Sequence, residues 1–282
     1  MLKNLSDYDA RNMIIEIGKR MYSKNFVAAH DGNISCRVDE DIIWATPTGV
    51  SKGFMNEETL IKMRLDGTIV SKGSIEPSSE IKMHLCIYKE NPDIMGVTHA
   101  HPPVCTSFAV AGIGLDQAIY PEAFVNLGTV PCVHYETPGS QGAADSIKPY
   151  CKSHCALLLA NHGAISWGRS LMEAFYRLES IEHYAMILLY TGSLIGKRNV
   201  LSYGQVQDLL DIRKRLGVLG ADGGIPVCAE NPSTLKDVVT GYDTIEEAKR
   251  YAVYENPDIT HCPRLTDEDV ERIAAAILKK LK

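Results

Sequence analysis

Apolar residues first recur at helical spacing. Met13, Ile14, Ile17 and Met21 share one face of a helix predicted over residues 7–25. The pattern then shortens. Residues 30–38 read HDGNISCRV, a Gly-Asn turn entering a strand, and residues 42–45 form a second short strand. Thr46-Pro47-Thr48-Gly49 is a turn, so an antiparallel hairpin is expected here. Pro77-Ser78-Ser79-Glu80 opens a helix that runs to about residue 90 and is stopped by Asn91-Pro92, with Ser78 or Ser79 as its N-cap. Residues 94–101 read as a strand and 104–110 as a helix or its approach. The apolar run 156–160 (ALLLA) is a buried strand ended by Asn161-His162-Gly163, and residues 164–167 pair back on it. A long helix follows over 170–190, with Leu171, Phe175, Leu178, Ile181, Ala185 and Leu188 on its apolar face.

The character changes after residue 218. Residues 219–226 (LGADGGIP) are breaker-rich, and 227–264 are polar with Pro232, Pro257 and Pro263. This stretch reads as a linker carrying one short helix near 244–253. Periodicity returns over 265–282, where Val270, Ile273, Ala274, Ile277, Leu278 and Leu281 make one apolar stripe. Thr266 caps this helix, with Leu265 and Val270 placed as a hydrophobic staple. Asp267, Glu268, Asp269 and Glu271 sit at its positive end and Lys279, Lys280 and Lys282 at its negative end. The expected organisation is a main domain over 1–218, a linker over 219–264 and an amphipathic C-terminal helix over 265–282.

Composition narrows the classes. With 282 residues, 45% apolar and 23% charged, the chain can bury a sizeable core, which excludes general disorder, collagen and a disulfide miniprotein. The net charge of −6 gives no basic surplus for nucleic acid. The most apolar stretch, 94–115, is broken by His99, His101, Pro102 and Pro103, so no membrane span is expected. The polar N-terminus carries Asp7 and Asp9 and does not read as a secretory signal. Eight cysteines lie at 36, 86, 105, 132, 151, 155, 228 and 262 without a CxxC pair, which favours reduced thiols in a cytoplasmic protein.

Three local patterns carry possible chemistry. On a strand, His99 and His101 point to the same face and can grip one metal ion. A third nitrogen from His162 would leave a coordination position open for a substrate oxygen. Strand-end histidines facing solvent or a neighbour are the plainer alternative. Ser78-Ser79-Glu80, with hydroxyls beside the first free N–H groups of a helix, suits a phosphate, although ordinary capping explains it equally. His84, four residues after Glu80, suits packing or hydrogen bonding better than metal. Gly32-Asn33 and Thr48-Gly49 are small polar turns whose backbone N–H groups can face an anion or simply turn the chain.

Taken together, DGNIS (31–35), TPTG (46–49), PSSEIKMH (77–84), HAHP (99–102), PCVHYETPG (131–139) and NHGAISWG (161–168) resemble the class II aldolase/adducin family, over about residues 7–195. Within it the chain is most similar to the branch acting on L-fuculose 1-phosphate. The resemblance implies an α/β fold: a three-layer α/β/α class II aldolase-like architecture with a mainly antiparallel central sheet, making 1–218 the catalytic domain. It implies Zn²⁺ or another divalent metal held by His99, His101 and His162. It places Gly32, Asn33, Thr48, Gly49, Ser78 and Ser79 around a substrate phosphate, Glu80 as acid/base, and Tyr135 at the aldehyde-side proton. Tyr203 is a candidate for a second family tyrosine. A homotetramer with sites between subunits is implied as well.

Glu rather than Asp at position 80 favours aldol chemistry over the family's 4-epimerases. The expected reaction is reversible cleavage of a ketose 1-phosphate to dihydroxyacetone phosphate and a small aldehyde such as lactaldehyde. Rhamnulose- or pentulose-phosphate aldolase, 4-epimerase and methylthioribulose-phosphate dehydratase activities are the alternatives, with a non-catalytic adducin-like binding module as a further class. The apolar stripe of the tail over 265–282 either docks on the chain's own catalytic body or is recognised by another protein, and the tail resembles the encapsulation peptides of bacterial microcompartment enzymes. That resemblance implies a shell-protein partner and a place inside such a compartment, and nothing in the chain points to nucleic acid or membrane.

Overall fold

The computed structural model describes residues 5–73, 75–196 and 199–218. The linker over 219–264, its short helix and the C-terminal helix over 265–282 lie outside the described residues.

Helix α1 (Asp7–Ser23) is capped by Ser6, whose hydroxyl accepts the Asp9 N–H at 3.1 Å, and it buries Ala10, Ile14, Ile17 and Met21. It stops two residues earlier than its apolar pattern suggests because Asn25 takes a left-handed φ of 58° and turns the chain. Eight strands follow among the described residues: β1 (Asn33–Asp39), β2 (Ile42–Ala45), β3 (Ile61–Arg64), β4 (Ile69–Ser71), β5 (Gly96–Ala100), β6 (Cys132–Val133), β7 (Ala156–Leu159) and β8 (Gly163–Gly168). They form one sheet in the order β4-β3-β2-β1-β5-β8-β7-β6. Among the described residues, only the β6–β7 pair is parallel. The expected hairpin is β1–β2, and the expected return strand is β8.

Helices cover both faces, giving the three layers. Ile34 of β1, Thr98 of β5 and Ser166 of β8 lie in one cross-strand row. Ser166 donates its hydroxyl to the Ala174 carbonyl of helix α6 (Leu171–Leu189) at 2.8 Å and accepts from the Thr98 hydroxyl at 2.8 Å, with Thr98 Oγ1 3.3 Å from the same carbonyl. On the opposite face, Ser35 of β1 meets His84 and Tyr88 of helix α2 (Ile81–Glu90) at 2.7 and 2.9 Å. Arg37 donates to the Tyr88 and Pro92 carbonyls there. These bonds offset much of the desolvation of the buried groups, although Arg37 Nε and His84 Nε2 are buried without a hydrogen-bond partner.

Helix α3 (Pro103–Val110) follows β5, and helix α5 (Gln141–Ile147) packs beside α2. Helix α4 (Pro121–Leu127) is joined to the last described helix, α7 (Tyr203–Arg215), by a buried arginine. Arg213 donates to the carbonyls of Phe124, Val125 and Leu127 at the helix end, sharing Phe124 with the Gly128 N–H and Leu127 with the Cys155 thiol.

One boundary corrects the sequence reading. Helix α2 begins at Ile81 with Glu80 in the cap position and no side-chain cap bond, not with Ser78 or Ser79. The segment before it is committed to the sheet edge: Pro77 bridges Pro47, Thr48 N–H donates to Glu76, and Ser78 N–H reaches Thr46 at 3.4 Å. Extended backbone at 76–78 delays the helix.

Gly96 sets how closely β5 approaches α6. A Cβ there would stand 2.3 Å from Leu171 Cα and 2.7 Å from its nitrogen, against backbone that cannot rotate away. Gly96→Ala is therefore expected to destabilise the protein by about 2 kcal/mol or more, the cost of a forced backbone shift. The denaturant midpoint at unchanged m-value measures it.

Candidate metal centre and phosphate cradle

The strand register gathers the site. Asn33 opposes His99 across β1–β5, at the sheet end where β1 begins and β5 finishes. His101 follows two residues later. The pairing of Ala100 with Ala164 brings the tight β7–β8 turn, and with it His162, beside the first two histidines. Asn161 takes a left-handed φ of 58° in that turn. A Cβ on Gly163 would meet the His101 ring at 2.6 Å, so glycine leaves the space that this imidazole fills.

One ring nitrogen from each of His99, His101 and His162 falls in a group whose members all lie within 4.8 Å of one another. The hydrogen bonds fix which nitrogens face inward. His99 Nδ1 lies 2.9 Å from the Ala164 carbonyl, which only accepts, so Nδ1 carries the proton and Nε2 the lone pair. His101 Nδ1 faces the Asp31 carboxylate at 3.4 Å, which fixes the same tautomer. The two Nε2 atoms then face each other at 3.3 Å with lone pairs on both. Two acceptors this close need a cation between them. Tetrahedral nitrogen ligands of one Zn²⁺ stand about 3.3 Å apart. The donor set therefore fits a divalent metal.

Glu80 joins the cluster. Its Oε1 lies 3.0 Å from His162 Nε2 and its Oε2 3.5 Å from His99 Nε2. Asn33 Nδ2 donates to Oε2 at 2.7 Å and reaches Ser78 Oγ at 3.4 Å. Burial raises the Glu80 carboxyl pKa, but His99, His162 and His101 together outweigh it and hold the group below the usual carboxylate range. Burial lowers His99 to about 3 and lowers His101 as well. An ionised carboxylate and neutral imidazoles are the states that bind a cation. Fully buried His84, also lowered to about 3 by burial, spends Nδ1 on Ser35 and stays apart from the histidine cluster.

The six cradle residues come together on three adjoining segments. Gly32 has a φ of 73°, and a Cβ there would stand 2.8 Å from the His99 carbonyl. Gly49 has a φ of 70° in the 46–49 turn. That turn is knitted to 76–78 by the bonds described above, and Asn33 links the first segment to Ser78. Thr48, Gly49 and Ser79 are exposed at the mouth, while Gly32 and Asn33 are buried behind them.

Tyr135 is not drawn into this cluster. It is 55% exposed on the loop between β6 and α5 and makes no hydrogen bond. The same loop touches the cradle through Gly139, whose added Cβ would meet Ser79 at 2.8 Å, and Lys82 donates to its carbonyl. Tyr203 begins α7 and is partly exposed. Two residues escaped the motif reading. Asp31 orients His101, and its place in the DGNIS run was the available signal. Asn33 holds the Glu80 carboxylate besides lining the cradle, a pairing set by the β1–β5 register and not by any local pattern.

Fold and site together define a metal-dependent enzyme of the α/β/α class. The chain belongs to the Class II Aldolase and Adducin N-terminal domain family, whose model matches residues 12–189. It is 32% identical over 200 residues to a 5-deoxy-D-ribulose 1-phosphate aldolase of Bacillus thuringiensis, covering 71% of this chain and 92% of that protein. It is 29% identical over 191 residues to a 3-oxo-tetronate 4-phosphate decarboxylase of Pectobacterium atrosepticum, covering 66% of this chain and 87% of that protein. A solved L-fuculose 1-phosphate aldolase superposes with a TM-score of 0.67 at 26% identity, covering 73% of this chain and 96% of that one.

Replacing His99 or His162 with alanine should reduce bound zinc from about one ion per chain to near zero with the secondary structure kept, since three ligands define such a site. Metal analysis beside circular dichroism checks it.

Proposed function

We propose that this enzyme reversibly cleaves a ketose 1-phosphate of the L-fuculose 1-phosphate type to dihydroxyacetone phosphate and a small aldehyde such as lactaldehyde. The observation that carries the reading is Glu80. Its carboxylate is held by Asn33 at the meeting point of three imidazoles and the phosphate-cradle segments. Zn²⁺, or another divalent ion, would be held by His99, His101 and His162, with Glu80 close enough to share it. When bound, it supplies Lewis-acid polarisation of the ketose carbonyl and offsets negative charge developing on that oxygen.

The chain's own groups do the rest. Gly32, Asn33, Thr48, Gly49, Ser78 and Ser79 hold the phosphate and so fix which carbon faces Glu80. In condensation, Glu80 takes the proton from the carbon next to the carbonyl; in cleavage it returns one. Asn33 aims that carboxylate. Tyr135 moves the aldehyde-side proton, and its exposure suits a homotetramer in which a neighbouring subunit closes the site. A cytoplasmic location belongs to the same reading. Among the described residues no helix is long and apolar enough to cross a membrane.

A second reading is favoured by the decarboxylase relative. Losing CO₂ from a 3-oxo acid leaves the same kind of charge beside a carbonyl, and the same metal and cradle would hold it. A zinc-loaded assay on a panel decides between them. L-Fuculose, L-rhamnulose, pentulose and 5-deoxyribulose 1-phosphates are scored for dihydroxyacetone phosphate, and 3-oxo-tetronate 4-phosphate for CO₂. Dihydroxyacetone phosphate from a 6-deoxyketose phosphate is the expected result; CO₂ release alone replaces it with decarboxylation. Glu80→Gln should keep zinc and lose turnover by about 10²–10⁴-fold, the weight of a positioned acid/base. Unchanged turnover would remove Glu80 from the chemistry.

The tail over 265–282 adds a proposal that rests on sequence pattern alone. Its apolar stripe needs a partner, since a lone helix of this length is marginal in water, and a microcompartment shell protein is the partner proposed. That compartment would keep the aldehyde product from the cytosol. Deleting residues 262–282 should leave activity unchanged and abolish co-sedimentation with shell proteins. Unfolding or loss of the oligomer on truncation would make the tail structural instead.

A further inference from the structure

The three cradle segments are tied together unequally. Segments 46–49 and 76–78 are joined by backbone bonds and by the Pro47–Pro77 bridge. The 30–33 segment is joined to the 46–50 turn by Lys52. This lysine is 1% exposed, on the short 3₁₀ turn Lys52–Phe54. Its Nζ donates to the His30 carbonyl at 2.7 Å and to the Val50 carbonyl at 2.8 Å. His30 directly precedes Asp31-Gly32-Asn33, and Val50 directly follows Gly49. Its third N–H is uncommitted.

The lysine's position is fixed from behind. A Cβ on Gly18 of α1 would stand 2.4 Å from the Lys52 carbonyl and 2.5 Å from Met55 Cε, so glycine lets α1 seat against this turn. A buried ammonium is expensive unless something nearby repays it. The two carbonyls repay part. Asp31 and Glu80 are the acids that act on it, and burial still pushes its pKa down to about 8. The cradle in front of it is otherwise built from hydroxyls and backbone amides. Those groups orient a phosphate but carry no net charge to balance a dianion.

We infer that Lys52 is a positioning residue of the phosphate site: it straps the Gly32-Asn33 loop to the Thr48-Gly49 loop and supplies buried positive charge beneath them, so that the site prefers a dianionic phosphate monoester. This rests on the phosphate-cradle reading above and deepens it. A bound dianion would favour the ammonium. Affinity should therefore be full where Lys52 is charged and fall as pH rises through about 8. Inorganic phosphate is already mostly dianionic there, and Glu80, held below the usual carboxylate range, and His99 and His101, pushed down by burial, keep their charge over that window.

The test is calorimetric titration of inorganic phosphate into the zinc-loaded full-length protein between pH 7.5 and 9.5, wild type beside Lys52→Met. Wild-type affinity should fall across the window. Lys52→Met should bind about tenfold more weakly or worse at pH 7.5, with a flat profile and unchanged zinc content, as expected for a lost nearby charge. On the phosphorylated substrate found by the panel, KM should rise by a similar factor while kcat changes little. Equal affinity in the variant, or a flat wild-type profile, overturns the assignment. The wild-type profile decides the matter even if the variant does not fold. Wild-type protein that binds no phosphate at any pH overturns the cradle reading itself, and the strap with it.

Discussion

Strand β1 enters the sheet beside β5 in a register that puts Asn33 opposite His99, and the site rests on that pairing. Side chains on a strand alternate faces, so a slip of one residue would turn Asn33 and Ser35 to the far side. Glu80 would lose the amide that aims it, and His84 and Tyr88 would lose the hydroxyl that anchors α2. One ladder thus positions His99, the Glu80 carboxylate and helix α2 at once. The α6 face guards this register, because Thr98 and Ser166 are bonded to each other and to the Ala174 carbonyl.

Charge in the site is held in a balance that solvent would erase. Three imidazoles, two carboxylates and a buried lysine stand within a few side-chain lengths, each tied to a protein partner. Burial alone would neutralise them; proximity keeps Glu80 ionised. Glu182 shows the same logic a step away. This buried carboxylate on α6 accepts the Val104 and Cys105 N–H groups at 3.0 and 2.7 Å, satisfying the start of α3 just after the His99-Ala100-His101 run. Side chains remote from substrate therefore decide where the histidines stand.

Much of this could be read from the chain. The His99–His101 spacing on an apolar strand announced one possible metal grip, because period-two geometry is local. His162, 61 residues further on, is a candidate third ligand from its place at the end of another apolar strand, but only the family resemblance sets it beside the pair, since nothing local fixes a turn against a distant strand. The mainly antiparallel sheet and its flanking helices match that resemblance. Strands β3, β4 and β6, with four, three and two residues, are too short to show a period. The Asn33–Glu80 bond spans 47 positions and follows from register alone. Lys52 stayed invisible because a lysine in a polar turn reads as surface, and only its burial and its bonds to the His30 and Val50 carbonyls show that it points inward.

The pairing of α2 to the sheet through Ser35, His84 and Tyr88 has a consequence for inheritance. Those groups are fully buried, so nearly any change among them leaves a polar atom stranded, and the helix that starts just after Glu80 is held as a fixed post. The loop carrying Tyr135 lies against the cradle with its tyrosine exposed, where substitution costs little stability. Mutations that survive will accumulate on the rim and spare the centre. A lineage built this way can exchange one phosphorylated substrate for another while keeping its bond-breaking apparatus intact, and relatives with different substrates on one scaffold are the record such a lineage leaves.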